Sequence, residues 1–408
     1  MLSPCWWRGL QTSRRHALAF GGELSVTEPL ATPGSASVVL VTHYYPQHGG
    51  GVEIVALELA RRLARDGVSL TWFSSATDAP PDVEGIECRP VAAWNFLERR
   101  FGIPWPIWNP ACVPRLWRAI GAARAVHVHD SLYMGNVIAA CIARMRRKRL
   151  VVTQHIGLVP YKSAVLRGLM AFANATIAAP LLRRAGCVVF ISTAVRKYFD
   201  GLCRWSTPPH LIPNGVDTDL YQPPGAERRR AARASLQLRE NETAFVFVGR
   251  FVEKKGLHLI EQFARRTPNA RWLLAGDGPI DPDRWELSNV RVFRDRRRES
   301  LRELLWAADA LVLPSVGEGF PLVVQEAIAA GLPCLVTSDT LEGFPESAQV
   351  LLSEPLGADA EGRWLKRLES IHDGTAQLAK PTELAEFAHR HWSWQEAASF
   401  YRRELTAG

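Results

Sequence analysis

The stretch at residues 309–331 constrains the fold of this chain more than any other. Its apolar run Ala310–Leu313 is typical of a buried strand. Gly317 and Gly319 then allow a sharp turn, and Pro321 suits the first position of a helix that ends at the last glycine of the stretch. A strand, a glycine-rich turn and a helix in this order predict an α/β protein with a parallel sheet.

Two carboxylates flank this predicted helix start, Glu318 in the turn and Glu326 eight positions later. Open α/β sheets bind ligands at the carboxyl ends of their strands. There a carboxylate can accept both hydroxyls of a ribose, while the N–H groups of the helix start face phosphate or sugar. A plainer interpretation remains open, in which Glu326 complements the helix dipole and Glu318 is a solvated loop residue.

The segment E-G-F-P-L-V-V-Q-E-A-x-A-x-G-x-P resembles the Glu-x7-Glu signature of retaining nucleotide-sugar glycosyltransferases of family four. The resemblance implies the GT-B fold, an α/β architecture in which two Rossmann-like parallel-sheet domains face each other across a cleft. It implies that Glu318 contacts the donor sugar as a catalytic residue and that Glu326 binds the donor ribose. It also implies donor contacts from the residues between them: Gly319, Phe320, Pro321 and Leu322.

A length of 408 residues is sufficient for two such domains. We expect an irregular arm at 1–36, an acceptor-side domain at 37–207 and a donor-binding domain at 208–380. Residues 381–408 then form a helix that crosses back to the first domain, as the resemblance implies. The resemblance extends over roughly residues 38–405 and is strongest from Pro213 to Ser338.

A glycine-rich turn follows the first predicted strand, but it lacks the G-x-G-x-x-G pattern of dinucleotide-binding enzymes. This argues against a nicotinamide-dependent enzyme. The resemblance makes Gly50 and Gly51 candidates for contact with the donor phosphate and the acceptor. A tight turn without a ligand is the alternative.

His155 follows a predicted strand at 150–154 and precedes a glycine. A single histidine is more often structural than catalytic, but this one lies at a strand end that faces the expected cleft. The resemblance implies that His155 contacts the donor sugar.

Gly249 and Arg250 follow another predicted strand, and Lys255 opens the next helix. Two cations at a strand end and a helix start form an anion site. The resemblance implies that Arg250 and Lys255 bind the donor diphosphate and act in catalysis. The two Asp-x-Asp triplets, at 217–219 and 281–283, lie in predicted loops, so we expect no metal site and no cofactor.

The formal net charge is +8, and arginines cluster at 144–149, 228–230 and 294–298. Such clusters are usually solvated, but they also permit binding to an anionic membrane surface. Nucleic-acid binding lacks a supporting motif. The apolar segment 164–182 contains Arg167 and Asn174, which favours a buried or surface-attached helix over a membrane-spanning one. Seven cysteines without C-x-x-C spacing favour the cytoplasm, with peripheral attachment to the inner face of the membrane as a further option.

Together these features predict a retaining, metal-independent glycosyltransferase. It would move a hexose from a nucleotide diphosphate sugar to a hydroxyl of a glycolipid, polysaccharide or lipid-linked acceptor. The alternatives are a GT-B-fold sugar-nucleotide epimerase or hydrolase, and a non-catalytic sugar-nucleotide binder.

Overall fold

The computed structural model describes residues 37–101, 103–158, 163–296, 298–317 and 320–407. The predicted arm at 1–36 and the site candidates Glu318 and Gly319 lie outside these residues. Within them the strands, in chain order, are β1 Ser37–Val41, β2 Ser69–Ser75, β3 Ile86–Val91, β4 Ala93–Trp94, β5 Ile107–Trp108, β6 Ala125–His129, β7 Arg149–Gln154, β8 Cys187–Phe190, β9 His210–Leu211, β10 Ala244–Val248, β11 Arg271–Ala275, β12 Val290–Phe293, β13 Ala310–Leu313, β14 Cys334–Thr337 and β15 Leu351–Glu354.

The α-helices connect these strands and cover both sheets. They are α1 Gly51–Arg65, α2 Phe96–Phe101, α3 Val113–Ala122, α4 Met134–Met145, α5 Ala164–Ala173, α6 Ala179–Leu182, α7 Thr193–Asp200, α8 Ala226–Ser235, α9 Leu257–Arg266, α10 Glu299–Ala307, α11 Leu322–Ala329, α12 Ser338–Glu342, α13 Ala360–His372, α14 Pro381–Trp392 and α15 Trp394–Thr406.

Two separate parallel sheets confirm the predicted α/β class. The first has the order β3-β2-β1-β6-β7-β8-β9 and the second the order β12-β11-β10-β13-β14-β15. In both sheets the chain adds strands on one side of the first strand and then crosses to add strands on its other side. We call the gap between the two strands on either side of this change in direction the reversal point. Ligands of such sheets bind at this point, outside the carboxyl ends of the strands. These points lie between β1 and β6 in the first sheet and between β10 and β13 in the second.

The central strands are apolar because both faces of each sheet are covered. All residues of β6 and β13 are buried, and β1 is buried beyond its first residue. Such continuous burial is expected for parallel strands with helices on both sides. The loops at the carboxyl ends are thereby left as the places where polar side chains collect.

The chain ends by passing from the second sheet to the first. Helix α14 packs against α11, and α15 packs against α1, β6 and β7. Trp394, Tyr401 and Leu405 of α15 are buried in the same apolar cluster as β1. The first core is therefore completed by the last helix of the chain. The domain boundaries at 36, 207 and 380 stay predictions.

Residues 164–182 form one continuous helix, consisting of α5, a π-turn at Asn174–Ala178 and α6. It is the helix among the described residues whose length and mean hydropathy of 1.5 would be enough to cross a membrane. However, it connects β7 to β8, which pair directly in parallel, and its last turn is buried against the sheet. It is thus a crossover helix on the surface of the first domain. The sequence predicted a buried or a surface-attached helix, and for α5 the buried alternative is wrong.

Candidate active site

Two loops meet at the reversal point of the second sheet. One follows β10 and contains Gly249, Arg250 and Lys255, and the other follows β13. The Val316 N–H donates to the Lys254 carbonyl at 2.9 Å. At Gly256, where φ is 75°, an added Cβ would lie 2.3 Å from the Pro314 carbonyl oxygen. Only glycine allows the two loops to come this close.

The predicted cation pair lies on the first of these loops. Lys255 is half-buried, and its side chain lies over Gly249, with Cε 3.5 Å from the position of a Cβ added there. Arg250 is exposed. Gly256 is the N-cap of α9, so the start of this helix adjoins the same loop. Two cations and a helix start therefore lie together at the carboxyl end of β10, an arrangement that suits an anionic ligand.

Glu326 lies in the second turn of α11, which is buried on almost every side. Burial raises the pKa of the Glu326 carboxyl to about 7. A hydrogen bond from the Tyr221 hydroxyl and the charge of Arg298 act in the opposite direction, while Glu58 adds to the increase. A half-buried carboxyl poised near neutrality is a feature of functional sites more often than of structural ones.

The neighbours of Glu326 on this segment mainly hold the two domains and the last helices together. The Phe320 ring lies 5.3 Å from Trp392 and 5.8 Å from Phe344, measured between ring centroids. Leu322 packs against the first-domain core, and the Gln325 amide donates to the Asn214 carbonyl at 2.6 Å. Pro321 is the N-cap of α11 and is buried.

At the reversal point of the first sheet, Gly50 caps α1 and Gly51 is its first residue. A Cβ on Gly50 would lie 2.2 Å from the Glu53 carboxylate, which folds back over the helix start and pairs with His43 at 2.9 Å. Burial alone would raise the pKa of Glu53, but His43 holds it below its ordinary value. A Cβ on Gly51 would meet nothing within 4 Å, so open space adjoins this residue.

His155 is buried at the end of β7, and its Nε2 lies 2.9 Å from His129 Nδ1. Burial and the neighbouring His43 lower the pKa of His155 to about 3, so the ring is neutral at physiological pH. The loop that carries it is fixed by Asp130, whose Oδ1 accepts the N–H groups of His155 and Ile156 at 2.8 and 3.1 Å. Asp130 adopts a left-handed φ of 68°, and burial raises its pKa to about 7.

The irregular stretch that follows β3 is attached to the loop after β1. The Tyr44 hydroxyl bonds to Asn95 at 2.6 Å and to Glu98 at 2.8 Å, and His48 lies 3.0 Å from Glu98. On the same stretch the side chains of Trp94 and Phe96 are 63% and 60% exposed. The result is an aromatic and polar surface beside the turn that contains Gly50 and Gly51.

The Asp-x-Asp triplets are occupied by arginines. Arg294 bonds to Asp281 at 2.8 Å and to Asp283 at 2.9 Å, and Arg298 lies 3.5 Å from Asp217. The described residues contain no group of three or more His, Cys, Asp or Glu side chains that would hold a metal ion. Arg294 and Arg298 are thus ion-paired rather than simply solvated, which corrects the expectation for the cluster at 294–298.

Two family models match the chain and together span most of both domains. Residues 49–220 match the model of glycosyltransferase family 4, and residues 242–360 match the model of glycosyl transferases group 1. The chain belongs to the group 1, family 4-type glycosyltransferases.

Curated relatives and solved structures agree with this assignment. A D-inositol 3-phosphate glycosyltransferase of Mycobacterium avium is 28% identical over 93% of this chain and 92% of its own length. Sucrose-phosphate synthase of Thermosynechococcus elongatus superposes with a TM-score of 0.72 at 20% identity, over 91% of this chain and all of that one. Anabaena HepE in complex with UDP-glucose gives a TM-score of 0.68 at 16% identity, over 90% and 98% of the two chains. The fold is GT-B, as predicted.

In this glycosyltransferase the structure brings most predicted site residues to the two reversal points. Gly50, Gly51 and His155 lie at the first, and Gly249, Arg250, Lys255 and Glu326 at the second. The sequence reading missed Tyr221, Asp130 and Glu53 as site residues. Asp130 directly follows β6, and Glu53 follows the glycine-rich turn. Both positions are visible in the sequence. Tyr221 lies about a hundred residues before Glu326 in the sequence, so only the fold brings the two side chains together.

Proposed function

We propose that this glycosyltransferase transfers a hexose, with retention of configuration, from a nucleotide diphosphate sugar to a hydroxyl of a glycolipid, polysaccharide or lipid-linked acceptor. The observation that carries the proposal is the arrangement at the second reversal point. There Glu326, on the helix that follows the β13 loop, accepts a hydrogen bond from Tyr221, and Arg250 and Lys255 lie on the loop that follows β10. A nucleotide diphosphate is bound by a carboxylate that accepts the ribose hydroxyls and by cations that contact the diphosphate. The UDP-glucose bound to HepE supports a donor of this class.

The departing diphosphate is the anion that catalysis must stabilise. As the bond between sugar and phosphate breaks, negative charge grows on the leaving oxygens. Arg250, Lys255 and the N–H groups at the start of α9 are preorganised cationic and dipolar groups that meet this charge. We therefore propose that transfer needs no metal ion.

At the first reversal point we propose that the neutral His155 contacts the donor sugar and that the open space beside Gly51 receives donor phosphate or acceptor. The aromatic surface at Trp94 and Phe96 suits an acceptor that carries sugar rings. Because the cysteines show no disulfide pattern, we place the enzyme in the cytoplasm.

The proposal is tested in two steps. A panel of nucleotide sugars is first screened for an increase in melting temperature, and the best donor is then incubated with bacterial lipid extracts and with soluble glycans. The product should contain the transferred sugar in the anomeric configuration of the donor, as measured by NMR coupling constants. Free sugar released at the same rate with and without acceptor would identify a hydrolase instead, and an inverted anomer would exclude retention.

A further inference from the structure

The outer side of α5 exposes large apolar side chains in one row. Val165, Leu169 and Phe172 are 82%, 59% and 66% exposed. Their spacing of four and three residues places them on the same side of the helix. We call these three residues the α5 face.

The other side of the same helix is anchored to the first domain. Asn174 is fully buried, and its amide donates to the Gly157 carbonyl at 3.3 Å and to the Tyr198 hydroxyl at 3.1 Å. Ala179 and Leu182 belong to the apolar core. These contacts fix the helix to the domain, and the α5 face points away from it. Contiguous exposed apolar surface of this kind marks an interaction site.

The stretch of sequence that contains the α5 face carries charge of a single sign. From Ser131 to Phe199 the sequence contains no Asp or Glu in 69 residues, although acids make up roughly one residue in ten of the whole chain. The same segment contains eleven Lys and Arg residues, and Arg183 and Arg184 directly follow the helix. A partner for this surface must therefore be negatively charged as well as apolar.

We propose that the α5 face inserts into an anionic phospholipid bilayer, with the helix lying in the plane of the headgroups. Apolar and aromatic side chains on one side of a helix, flanked by cations and without acids, are the features of an interfacial helix. The helix begins nine residues after His155, on the connection that leaves the carboxyl end of β7. Docking through it brings the membrane to the opening of the site. This last point rests on the proposed function, because a lipid-linked acceptor would arrive from that side.

The test compares the full chain with a variant in which Val165→Ser, Leu169→Ser and Phe172→Ser are combined. These side chains are exposed, so the variant should fold normally. Leu378→Ser, which removes a 38% exposed apolar side chain from the second domain, is the matched control. Each protein is sedimented with vesicles of phosphatidylcholine alone or mixed equally with phosphatidylglycerol. UDP binding is measured in parallel without vesicles.

Wild type and Leu378→Ser should bind the phosphatidylglycerol vesicles at about 0.01 M salt, with little binding to phosphatidylcholine alone. Binding should weaken at about 1 M salt, where the Debye length falls from about 30 Å to about 3 Å. The triple variant should bind at least about tenfold more weakly, with UDP affinity unchanged. Arg183→Glu with Arg184→Glu should also weaken binding.

Wild-type sedimentation equal to that of the triple variant would overturn the proposal. So would a wild-type dimer in sedimentation velocity that the triple variant loses, in the absence of vesicle binding, because the α5 face would then be a contact between two copies. If wild type does not bind UDP, the proposed donor site is contradicted. The comparison of vesicle binding between wild type and the triple variant still decides the membrane proposal.

Discussion

Arg298, in front of α10 of the second domain, lies 3.3 Å from Glu58 on α1 of the first domain. Its φ of 48° is unusual for a residue other than glycine, and its guanidinium also pairs with Asp217 at 3.5 Å. Burial is the main cause of the raised pKa of Glu326, and Arg298 lowers that pKa whereas Glu58 raises it further. This one ion pair therefore connects the contact between the domains to the ionisation of the proposed ribose ligand.

Replacing Arg298 with alanine should move the ionisation of Glu326 to higher pH, because a nearby positive charge is lost while Glu58 remains. Donor binding, for which we propose that the Glu326 carboxylate is required, should then need a higher pH than in wild type. The measurement is UDP affinity by calorimetry from about pH 5.5 to about pH 8.5, a range that brackets the Glu326 pKa of about 7. Arg296→Ala, which removes the same charge near the Phe293 ring, is the control. An identical pH midpoint in wild type and Arg298→Ala would disprove the link.

Glu326→Gln should weaken donor binding, since a neutral amide cannot accept two hydroxyls as a carboxylate does. Each charge-assisted hydrogen bond lost is worth about 1.5–3 kcal/mol. Calorimetry with UDP and the identified nucleotide sugar measures the loss, and unchanged affinity would remove Glu326 from the donor site.

The same variant should have the opposite effect on stability at alkaline pH. Because the pKa of Glu326 is raised in the folded state, the folded state holds the proton more tightly than the unfolded chain. The free energy of unfolding therefore falls as pH rises through about 7, and a glutamine avoids this loss. Urea unfolding at about pH 5 and about pH 8 should show Glu326→Gln gaining relative to wild type at the higher pH. A relative loss there would mean that burial does not raise this pKa.

His155→Ala should reduce turnover far more than UDP affinity, because the proposal places this ring against the sugar rather than the nucleotide. His127→Ala provides a comparison. His127 is equally buried and bonds to Thr153 at 2.8 Å, so its loss should reduce stability without a selective effect on turnover. Parallel losses of turnover and UDP affinity in His155→Ala would make this histidine structural.

Arg250→Ala and Lys255→Ala should each cost about 2–4 kcal/mol of transition-state stabilisation, the range for one preorganised donor. Lys254→Ala is the matched control on the same loop. Activity should survive EDTA, since we propose that these cations and the start of α9 stabilise the leaving diphosphate. Complete loss of turnover on chelation, restored by magnesium or manganese, would show that a metal does this instead.

The fold could be predicted from the sequence because the signals for its strands, turns and helices lie in short continuous stretches. Runs such as Ala310–Leu313 are continuous and apolar, and the glycines and prolines that follow them mark where each strand ends. The predictions for Arg250, Lys255 and Glu326 rest on the same local signals. Arg250 comes at the end of such a strand, Lys255 opens the next predicted helix, and Glu326 lies in the first two turns of another. Local pattern also placed the helix at 164–182.

The remaining parts of the site depend on contacts between distant segments. Tyr221 reaches Glu326 over more than a hundred residues, and Arg298 reaches Glu58 across the two domains. In sequence Arg298 is one of several consecutive arginines, and nothing local distinguishes it from its neighbours.

The position of α15 has a consequence for how the protein is made. During translation the first sheet leaves the ribosome long before Trp394, Tyr401 and Leu405, which complete its apolar core. The domain synthesised first is therefore the last to be finished, and its core stays partly open while the second domain folds as a unit. A chain that stops short of α15 would lack no proposed donor-binding residue, yet it would expose the core beneath β1 and β6. Truncation before α15 should thus appear as instability of the first domain rather than as loss of the proposed donor site.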